Sequence, residues 1–465
     1  MRNDEILRRA RECWEAMAPM RAARRRHTRF TYGDQWGDPA TDHRGRRSTE
    51  GELAAVGGRR PLSNNLIRRL VKSVVGRYRM ECSEEGAKPA ALAAHYERNR
   101  LGELDARALE EFLISGMAVQ RVGAERRPGG SGVWVDNIQP DHFFISRARD
   151  PRLTDAELVG CLRDMSLQEL AARFAPGNPD AARRLGELYG AMAGRESLFE
   201  SAGRGGSTGF YHAPRGLCRV IEVWTLEYRP TLRCHDPLEA LYREIPADRA
   251  GLVEAENRRR SGAGLPTIDA RADYRAMWRC RWLAPDGTLL REEDSPLAGG
   301  GHPFAVKLYP MIDGEVHSLV EDVIDQQKHV NRLITLMDNM MGAAAKGVLL
   351  FPTRCKVEGM RWEDVVERWA LPGGVIPYNA VPGVEPKQVV TPLGDNGAAD
   401  MLATQIKLFE DVSGVSPALM GKSVSAAVGH DRYESEVRNG AVAINDLLST
   451  FRDFIDVRDK LLASA

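Results

Sequence analysis

The stretch HPFAVKLYPMIDGEVHSLVEDVIDQQKHVNRLITLM, residues 302–337, decides the fold because it joins a chain-breaking segment to a long helix. Glycines 299–301, Pro303 and the turn Asp313-Gly314 interrupt the chain. From about Val316, apolar residues follow helical i, i+3, i+4 spacing: Leu319, Val320, Val323, Ile324, Val330, Leu333, Ile334, Met337, Met340 and Met341. A helix of about 28 residues is about 42 Å long. Such a rod is usually packed beside neighbours.

The residues before this stretch predict a mixed α/β body over 1–315. Helical periodicity covers residues 1–29, 88–118 and about 166–192, and Asn64 or Asn65 can cap a further helix. Short β-rich segments broken by Pro, Gly and Asp alternate with these helices: VWVDNIQP, HFFIS, CRVIEVWTLEYRP and AMWRCRWLAPDGTLL.

The residues after the long helix predict a small α/β insert between two helices. KGVLLFP reads as a strand, RWEDVVERWA as a short helix, and GVIPYN as a second strand after a Pro-Gly-Gly turn. A helix then covers about 398–412. A loop of small residues follows, and a last helix covers about 431–463.

Composition limits the function classes. Lys plus Arg and Asp plus Glu are both 65, so the net charge is zero, which disfavours a protein that grips nucleic acid tightly. The seven cysteines are scattered and include no CxxC pair, so we expect neither a disulfide framework nor a zinc site. We also expect no secretory signal and no membrane span, because no apolar run reaches about 18 residues.

The sequence is poor in motifs that carry chemistry. MGKS at 420–423 resembles the end of a phosphate-binding loop, but the position that requires the first glycine is Ser416. No His-Glu-x-x-His and no Gly-x-Ser-x-Gly motif is present. Asp322 and Asp325 share a helix face, which is more typical of a solvated or inter-subunit surface than of a catalytic pair. We therefore predict no enzyme activity, no cofactor and no metal.

The order of the weak motifs resembles the portal, or head–tail connector, proteins of tailed bacteriophages, in particular the podovirus-type branch. The early YGDQW and RRPLSNNLIRRLVKSVVGRYR are similar to that family's Gly-x-Gln-Trp, Arg-Pro and Asn pattern before a helix. DNIQPDHFFISRARD resembles its Val/Ile-x-Pro-x-x-Phe segment. The spacing of Asp325, Gln326, Gln327 and Asn331 matches the beginning of its stem. The resemblance covers nearly the whole chain.

The resemblance implies an α+β, portal-type subunit of a ring oligomer, with these parts: wing 1–315, first stem helix 316–345, clip 346–396, second stem helix 397–412, channel (tunnel) loop 413–430, and a wing or crown-side helix 431–465. Many such portals continue into a helical crown. Because this chain stops at Ala465, we expect the crown to be absent, minimal or removed.

The resemblance also implies a function and partners. The family forms a dodecameric ring at the capsid vertex of the virion, through which double-stranded DNA passes without sequence reading during packaging and ejection. Expected partners are further copies of the chain, the terminase large subunit, a head–tail adaptor and the capsid or scaffold protein. The chain would occupy the host cytoplasm during assembly and would contact no membrane.

Three groups of residues are the candidate sites. Stem or inter-subunit contacts are assigned to Asp325, Gln327, Asn331 and Arg332. The channel loop is assigned Gly414, Gly421, Lys422, Ser423, Ser425 and His430. The clip is assigned Arg361, Trp362, Arg368 and Trp369, where the two tryptophans either pack inside the clip or form a rim that docks a partner.

Two other function classes stay open at this stage. The first is a nucleotide-driven motor or nuclease of the packaging machinery, using Lys422 and Ser423. The second is a monomeric DNA-binding module built on Arg24, Arg25 and Arg26, which would contact phosphate unless they form an ordinary solvated helix end.

Overall fold

The computed structural model describes residues 2–55, 60–84, 89–127, 130–196, 209–297, 299–312, 314–371, 373–389, 397–415 and 442–464. The helices in these residues are α1 (Asn3–Ala16), α2 (Ala18–Tyr32), α3 (Glu50–Ala54), α4 (Leu66–Glu84), α5 (Ala90–Asn99), α6 (Leu101–Ser115), α7 (Leu167–Phe174), α8 (Pro179–Glu196), α9 (Ala250–Gly262), α10 (Leu319–Lys346), α11 (Trp362–Ala370), α12 (Ala398–Ser413) and α13 (Val442–Ser464).

The strands of the same residues are β1 (Pro39–Thr41), β2 (Arg47–Thr49), β3 (Met117–Arg127), β4 (Gly130–Asn137), β5 (Phe143–Ile145), β6 (Leu158–Met165), β7 (Cys218–Asp236), β8 (Leu241–Pro246), β9 (Asp269–Leu283), β10 (Leu289–Asp294), β11 (Phe304–Leu308), β12 (Pro310–Ile312), β13 (Glu315–Val316), β14 (Val348–Leu350) and β15 (Lys387–Val389).

The chain forms two compact units. The first comprises the described residues of Met1–Thr28, Arg69–Asp322 and Gly414–Ala465, and the second comprises those of Arg29–Arg68 and Val323–Ser413. Each unit is therefore assembled from segments that lie far apart in the sequence.

The first unit is built on an antiparallel sheet with strand order β10-β9-β7-β6-β5, and β8 pairs with the outer part of β7. Residues 218–225 of β7 are all buried, which is why this strand reads as a nearly continuous apolar run. The core includes Phe143, Phe144 and Trp282, and the apolar face of α1 packs against it. A second sheet has the order β11-β3-β4.

Buried charges lie inside this first unit. The Arg121 Nε donates to Glu222 over 2.9 Å, and the Glu222 side chain is fully buried. Arg163 and Arg173 donate to Glu125 over 3.1 and 2.7 Å. Burial alone would raise the pKa of Glu125, but these guanidinium groups together with Arg121 hold it below its usual value. Salt bridges thus tie β3 to β6 and β7.

The last helix, α13, returns to the first unit and is anchored by a buried ion pair. Arg458 donates to both carboxylate oxygens of Asp105 over 2.8 and 3.2 Å, and its side chain has no exposed surface. The same guanidinium donates to the Tyr96 hydroxyl over 2.9 Å. Phe451 packs edge-on against Tyr78 at a ring distance of 5.4 Å. Charge and aromatic packing together hold α13 in place.

The local predictions agree with the structure where periodicity is clear. The strands in VWVDNIQP, HFFIS, CRVIEVWTLEYRP and AMWRCRWLAPDGTLL are confirmed, as is the long helix, observed as α10. Asn65 caps α4, because its Oδ1 accepts the Arg68 N–H over 2.9 Å. The helix ending near Gly116 does so in a left-handed conformation, with φ of +72°.

Four local predictions differ in detail from the structure. Each of the predicted helices at 1–29, 88–118 and 166–192 is a pair of helices. The segment GVIPYN forms no strand; β14 pairs instead with β15, further along the chain. Pro377 lacks the N–H that a paired strand needs, which accounts for the failure of the predicted strand.

The Arg458–Asp105 pair leads to a stability prediction. Arg458→Ala should lower the free energy of unfolding of the first unit by about 3–5 kcal/mol, because it leaves the Asp105 carboxylate buried without its partner. Urea denaturation followed by tryptophan fluorescence measures the change. The double variant Arg458→Met, Asp105→Leu should recover most of the loss, since it removes both charges.

Arg152→Ala is the matched control. Arg152 pairs with Asp150 at 3.0 Å, but 80% of its side chain is exposed. This variant should change stability by less than about 1 kcal/mol. An Arg458→Ala protein as stable as this control would contradict the anchoring role of the buried pair.

Candidate functional site

Three sequence motifs that are distant in the chain meet in the second unit. Gln35 lies in YGDQW, Asn64 and Asn65 lie in RPLSNN, and Gln327 and Asn331 lie in α10. The Gln35, Gln327 and Asn331 side chains are at most 2% exposed. Their amide groups form a continuous hydrogen-bond network, which we call the amide cluster.

Gln327 is the centre of the amide cluster. Its Oε1 accepts the backbone N–H groups of Leu66 and Ile67 over 2.8 and 3.2 Å. Its Nε2 donates to the Asn64 carbonyl oxygen over 2.7 Å and to Asn331 Oδ1 over 3.0 Å. All four hydrogen-bonding positions of this side chain are occupied. Gln327 therefore satisfies N–H groups at the beginning of α4 that have no partner within the helix.

Asn331 continues the network toward YGDQW. Its Oδ1 accepts the Asn64 N–H over 2.9 Å, and its Nδ2 donates to Gln35 Oε1 over 2.7 Å. Gln35 in turn donates to the Phe30 carbonyl oxygen over 2.8 Å. One turn of α10 thereby holds two loop segments at once.

The second unit also contains a group of charged side chains that link α10 to residues 29–50. Lys328 Nζ is 2.7 Å from Asp38 Oδ2 and 2.9 Å from Glu50 Oε1. Arg29 also pairs with Asp38, at 3.0 Å. Arg332 reaches Glu50 at 3.4 Å. The Lys328 and Asp38 side chains are largely buried, so this group reinforces the anchoring of α10.

The four predicted stem residues divide into two groups. Gln327 and Asn331 are buried and bond within one chain, so their side chains are not available to another subunit. Asp325 is exposed, and Arg332 keeps 53% of its side chain exposed. Only Asp325 and Arg332 present the surface that a contact between subunits requires.

The four predicted clip residues lie on or beside α11. Trp362 is 41% exposed, packs edge-on against Phe351 at 6.1 Å and carries Lys356 over its ring. Trp369 is half-buried, and Arg361 and Arg368 are exposed. The structure thus places Trp362 largely at the surface.

Other apolar side chains around α11 are also exposed. They are Val348 (59%), Leu350 (54%), Val366 (64%), Leu371 (62%), Val375 (79%), Tyr378 (46%) and Val389 (41%). We call these residues, together with Trp362, the 348–389 surface. An exposed apolar patch is typical of an interaction surface when its side chains are contiguous.

The channel-loop assignment is largely outside the described residues. Gly421, Lys422, Ser423, Ser425 and His430 all lie there, as does the phosphate-loop-like MGKS. Gly414 is described: it follows α12 with φ of +64°, a left-handed conformation that favours glycine after a helix.

The structure also tests three expectations, which concern a metal site, a membrane span and the N-terminal arginines. Within the described ranges, no group of three or more His, Cys, Asp or Glu side chains could hold a metal ion. In the same ranges no helix combines the length and apolarity that a membrane span needs. Arg24 donates to both Glu111 oxygens over 2.6 and 2.7 Å, so it is held inside the chain instead of presented to phosphate.

Comparison with known families agrees with the motif order. The model of the phage P22-like portal protein family matches residues 7–464, almost the entire chain. The chain belongs to this portal family. No curated protein matches it. The predicted podovirus-type portal identity is therefore confirmed, and the chain has a phage portal role.

Membership of the family also bears on activity, fold and location. Portal proteins are generally structural and not catalytic, and the mixed α/β fold is consistent with the family. The family places the protein at the capsid vertex of the virion. Sequence reasoning missed Gln35 and Lys328 as parts of the portal fold. The only signal was their position inside motifs that the resemblance had already marked.

The amide cluster leads to a prediction. Gln327→Leu should lower the free energy of unfolding of the second unit by about 2–4 kcal/mol, because buried N–H and carbonyl groups lose their partner. Amide hydrogen exchange followed by mass spectrometry should show faster exchange at Leu66 and Ile67.

Gln326→Leu is the control, because Gln326 is the adjacent residue of α10 and its side chain is half-buried. Its exchange at the beginning of α4 should match the wild type. Unchanged exchange at Leu66 and Ile67 in Gln327→Leu would show that Gln327 does not satisfy these groups.

Proposed function

We propose that the protein forms a closed, dodecameric ring at one capsid vertex, through which double-stranded DNA is packaged and later ejected. The observation that carries this proposal is the portal family match over residues 7–464. The ring would dock the terminase large subunit during packaging, a head–tail adaptor afterwards, and the capsid or scaffold protein at its periphery.

The proposed parts follow the boundaries predicted from the sequence. Residues 1–315 would form the wing, 316–345 and 397–412 the two stem helices, and 346–396 the clip. Residues 413–430 would form the channel loop and 431–465 a helix on the wing or crown side. The observed helices α10 and α12 support the assignment of the stem.

The ring contact is proposed to involve the exposed side of α10. Val320, Val323 and Val330 are fully buried in the chain, whereas Leu336 is 52% and Met341 54% exposed. On α12, Met401 is 57% exposed. A ring places unlike faces of neighbouring subunits together, which would cover these side chains without a two-fold axis. Asp325 and Arg332 would border the same contact.

The ring proposal leads to a prediction about Leu336. Wild-type protein should show rings with a central hole by negative-stain electron microscopy. Leu336→Asp should abolish them, because an unpaired carboxylate in an apolar contact costs several times RT. Leu252→Asp is the control: Leu252 is 68% exposed on α9, and its substitution should leave rings intact. Wild-type particles without a hole would contradict the ring itself.

The 348–389 surface is proposed as the docking surface for terminase or adaptor. Trp and Arg are frequent anchors of protein interfaces, and Trp362 is flanked here by exposed Arg361. Arg368 and Trp369 would lie toward the other end of the same surface.

Trp362→Ala tests the docking proposal. Rings should remain intact, while terminase binding measured by pull-down or surface plasmon resonance should weaken about tenfold or more, as for an interface anchor. Leu238→Ala is the control, since Leu238 is 50% exposed and belongs to the first unit. Intact rings with normal terminase and adaptor binding would exclude Trp362 as an anchor.

The channel loop is proposed to touch DNA without reading its sequence. Its residues are mostly small, with Gly414 and Gly421 as pivots, Ser423 and Ser425 as polar positions and Lys422 as its fixed cation. His430 stands at the end of the loop. The zero net charge of the chain favours passage of DNA over tight binding.

Lys422→Glu tests the loop. Ring formation should be unchanged, while the DNA content per capsid should fall, because the carboxylate repels phosphate. Quantitative DNA measurement on purified capsids is the readout, and Lys422→Gln, which removes the charge without reversing it, should have a smaller effect. Full heads with normal retention in Lys422→Glu would make the loop a linker only.

The protein is proposed to have no enzymatic activity and no cofactor of its own. The alternative of a nucleotide-driven motor depends on Lys422 and Ser423 alone, because the first glycine of the phosphate loop is replaced by Ser416.

A further inference from the structure

The first unit carries a sheet extension that we call the β-arm, residues 226–277. It consists of the outer part of β7, with β8 on one side and β9 on the other, and α9 lies between β8 and β9 in the chain. Residues 269–272 and 274–276 of β9 are all exposed. The β-arm therefore presents an exposed strand at its surface.

The outer edge of β9 is open along most of its length. β10 pairs with β9 only from Arg279 to Leu283. The Trp278 N–H donates to the Gly300 carbonyl oxygen, and the Trp278 carbonyl accepts from the Ser295 N–H, so the peptide groups of Trp278 point away from β7. By the two-residue period of a strand, those of residues 270, 272, 274 and 276 point outward as well.

These outward peptide groups lack backbone partners within the described part of the chain. The Tyr274 N–H donates to the neighbouring Asp273 carboxylate over 2.8 Å. Edge strands with free N–H and C=O groups are templates for pairing with another chain, and proteins normally protect them with charges.

The charges on β9 alternate in sign. The sequence DARADYRA places Asp269, Arg271, Asp273 and Arg275 on one face, with three alanines and Tyr274 on the other. A single charge on an edge strand repels a second copy of that strand. Charges of alternating sign instead place opposite charges next to each other when an antiparallel copy pairs with the strand. With Ala272 opposite Ala272 of the copy, Asp269 faces Arg275 and Arg271 faces Asp273.

The backbone supports the same register. In that pairing, residues 270, 272 and 274 form the hydrogen-bonded pairs, which uses the groups that point outward. The charged residues then occupy the non-hydrogen-bonded pairs, where side chains lie closer together. Alanine at positions 270 and 272 leaves room on the opposite face.

The charged residues of β9 already form ion pairs within the chain, but these pairs are exposed and can be replaced by pairs with a second strand. Arg271 pairs with Asp269 at 3.2 Å, with side chains 81% and 58% exposed, and Arg233 pairs with Asp273 at 3.2 Å. Arg275 is 3.9 Å from Glu244. Exposed pairs of this kind contribute little to stability, so they do not hold the side chains against an incoming strand.

We propose that the outer edge of β9 is a docking strand for a second copy of this chain, paired antiparallel about a two-fold axis at Ala272. Such a contact is isologous, so it cannot itself close a ring. It joins two subunits or two whole rings through their β-arms. The inference stands on β9 alone and does not depend on the proposed ring contact.

Charge-changing substitutions test whether opposite charges face each other across the proposed strand pair. Sedimentation velocity of the full-length protein at about 50 mM NaCl should show a species of twice the basic mass, which declines at about 500 mM NaCl because exposed charges are screened. Arg271→Asp places like charges opposite each other and should weaken the association at least about tenfold. The exchanged variant Arg271→Asp, Asp273→Arg restores opposite charges and should recover it.

Arg258→Asp is the matched control for the charge change. Arg258 is exposed on α9 of the same β-arm and is not part of β9. Its association should equal that of the wild type.

A cysteine at the two-fold axis tests the geometry. In a Cys82→Ser background, Ala272→Cys should form a disulfide-linked dimer on mild oxidation, because residues opposite each other in a hydrogen-bonded pair have Cα atoms about 5.5 Å apart. Ala276→Cys is the register control: its copies would lie roughly 26 Å apart and should not crosslink.

The proposal is overturned if the wild type shows no doubled species at low salt, or if Arg271→Asp associates as strongly as the wild type. It is also overturned if Ala276→Cys crosslinks as readily as Ala272→Cys, since that result indicates random collision. Doubling that persists unchanged in both charge variants would assign the contact to another surface.

Discussion

The second unit depends on the hydrogen bonds that satisfy the N–H groups at the beginning of α4. The N–H groups of Leu66 and Ile67 have no acceptor within α4, and the Gln327 side chain of α10 accepts both of them. Because Gln327 is itself saturated only when Asn64 and Asn331 are in place, the loops before α4 and the turn of α10 are defined together. A single buried amide thus couples segments about 260 residues apart in the chain.

In the first unit, charged side chains satisfy the buried polar groups. Arg458 brings α13 to a site made by Asp105, Tyr96 and Gln120, and it satisfies all three. Arg121 and Glu222 do the equivalent inside the sheets. Buried pairs of this type contribute less to net stability than apolar packing does, but each is costly to break, so they favour one arrangement over its alternatives.

Many of the charges of this neutral chain are therefore used internally. Arg24, which the sequence offered as a phosphate contact, is held by Glu111, and Lys328 is held by Asp38 and Glu50. Exposed apolar side chains occur at the 348–389 surface and along α10 and α12, and others lie on the β-arm, among them Tyr228, Tyr242 and Tyr274. This division suits a structural subunit, which keeps its fold by internal polar contacts and meets other proteins through apolar ones.

The sequence by itself determined the features that depend on neighbouring residues. The spacing of apolar residues located α10 and the long β7, Asn65 and Gly116 marked helix ends, and the order of motifs identified the portal family. It could not show where helices break, that β15 replaces the strand expected at GVIPYN, or that Gln35 and Lys328 belong to the site. It assigned Gln327 and Asn331 to the stem or to contacts between subunits and could not show that both side chains are buried within one chain. The physical reason is range: periodicity and capping act within a few residues, whereas the partner of a buried amide or charge is chosen by the tertiary structure that brings distant segments together.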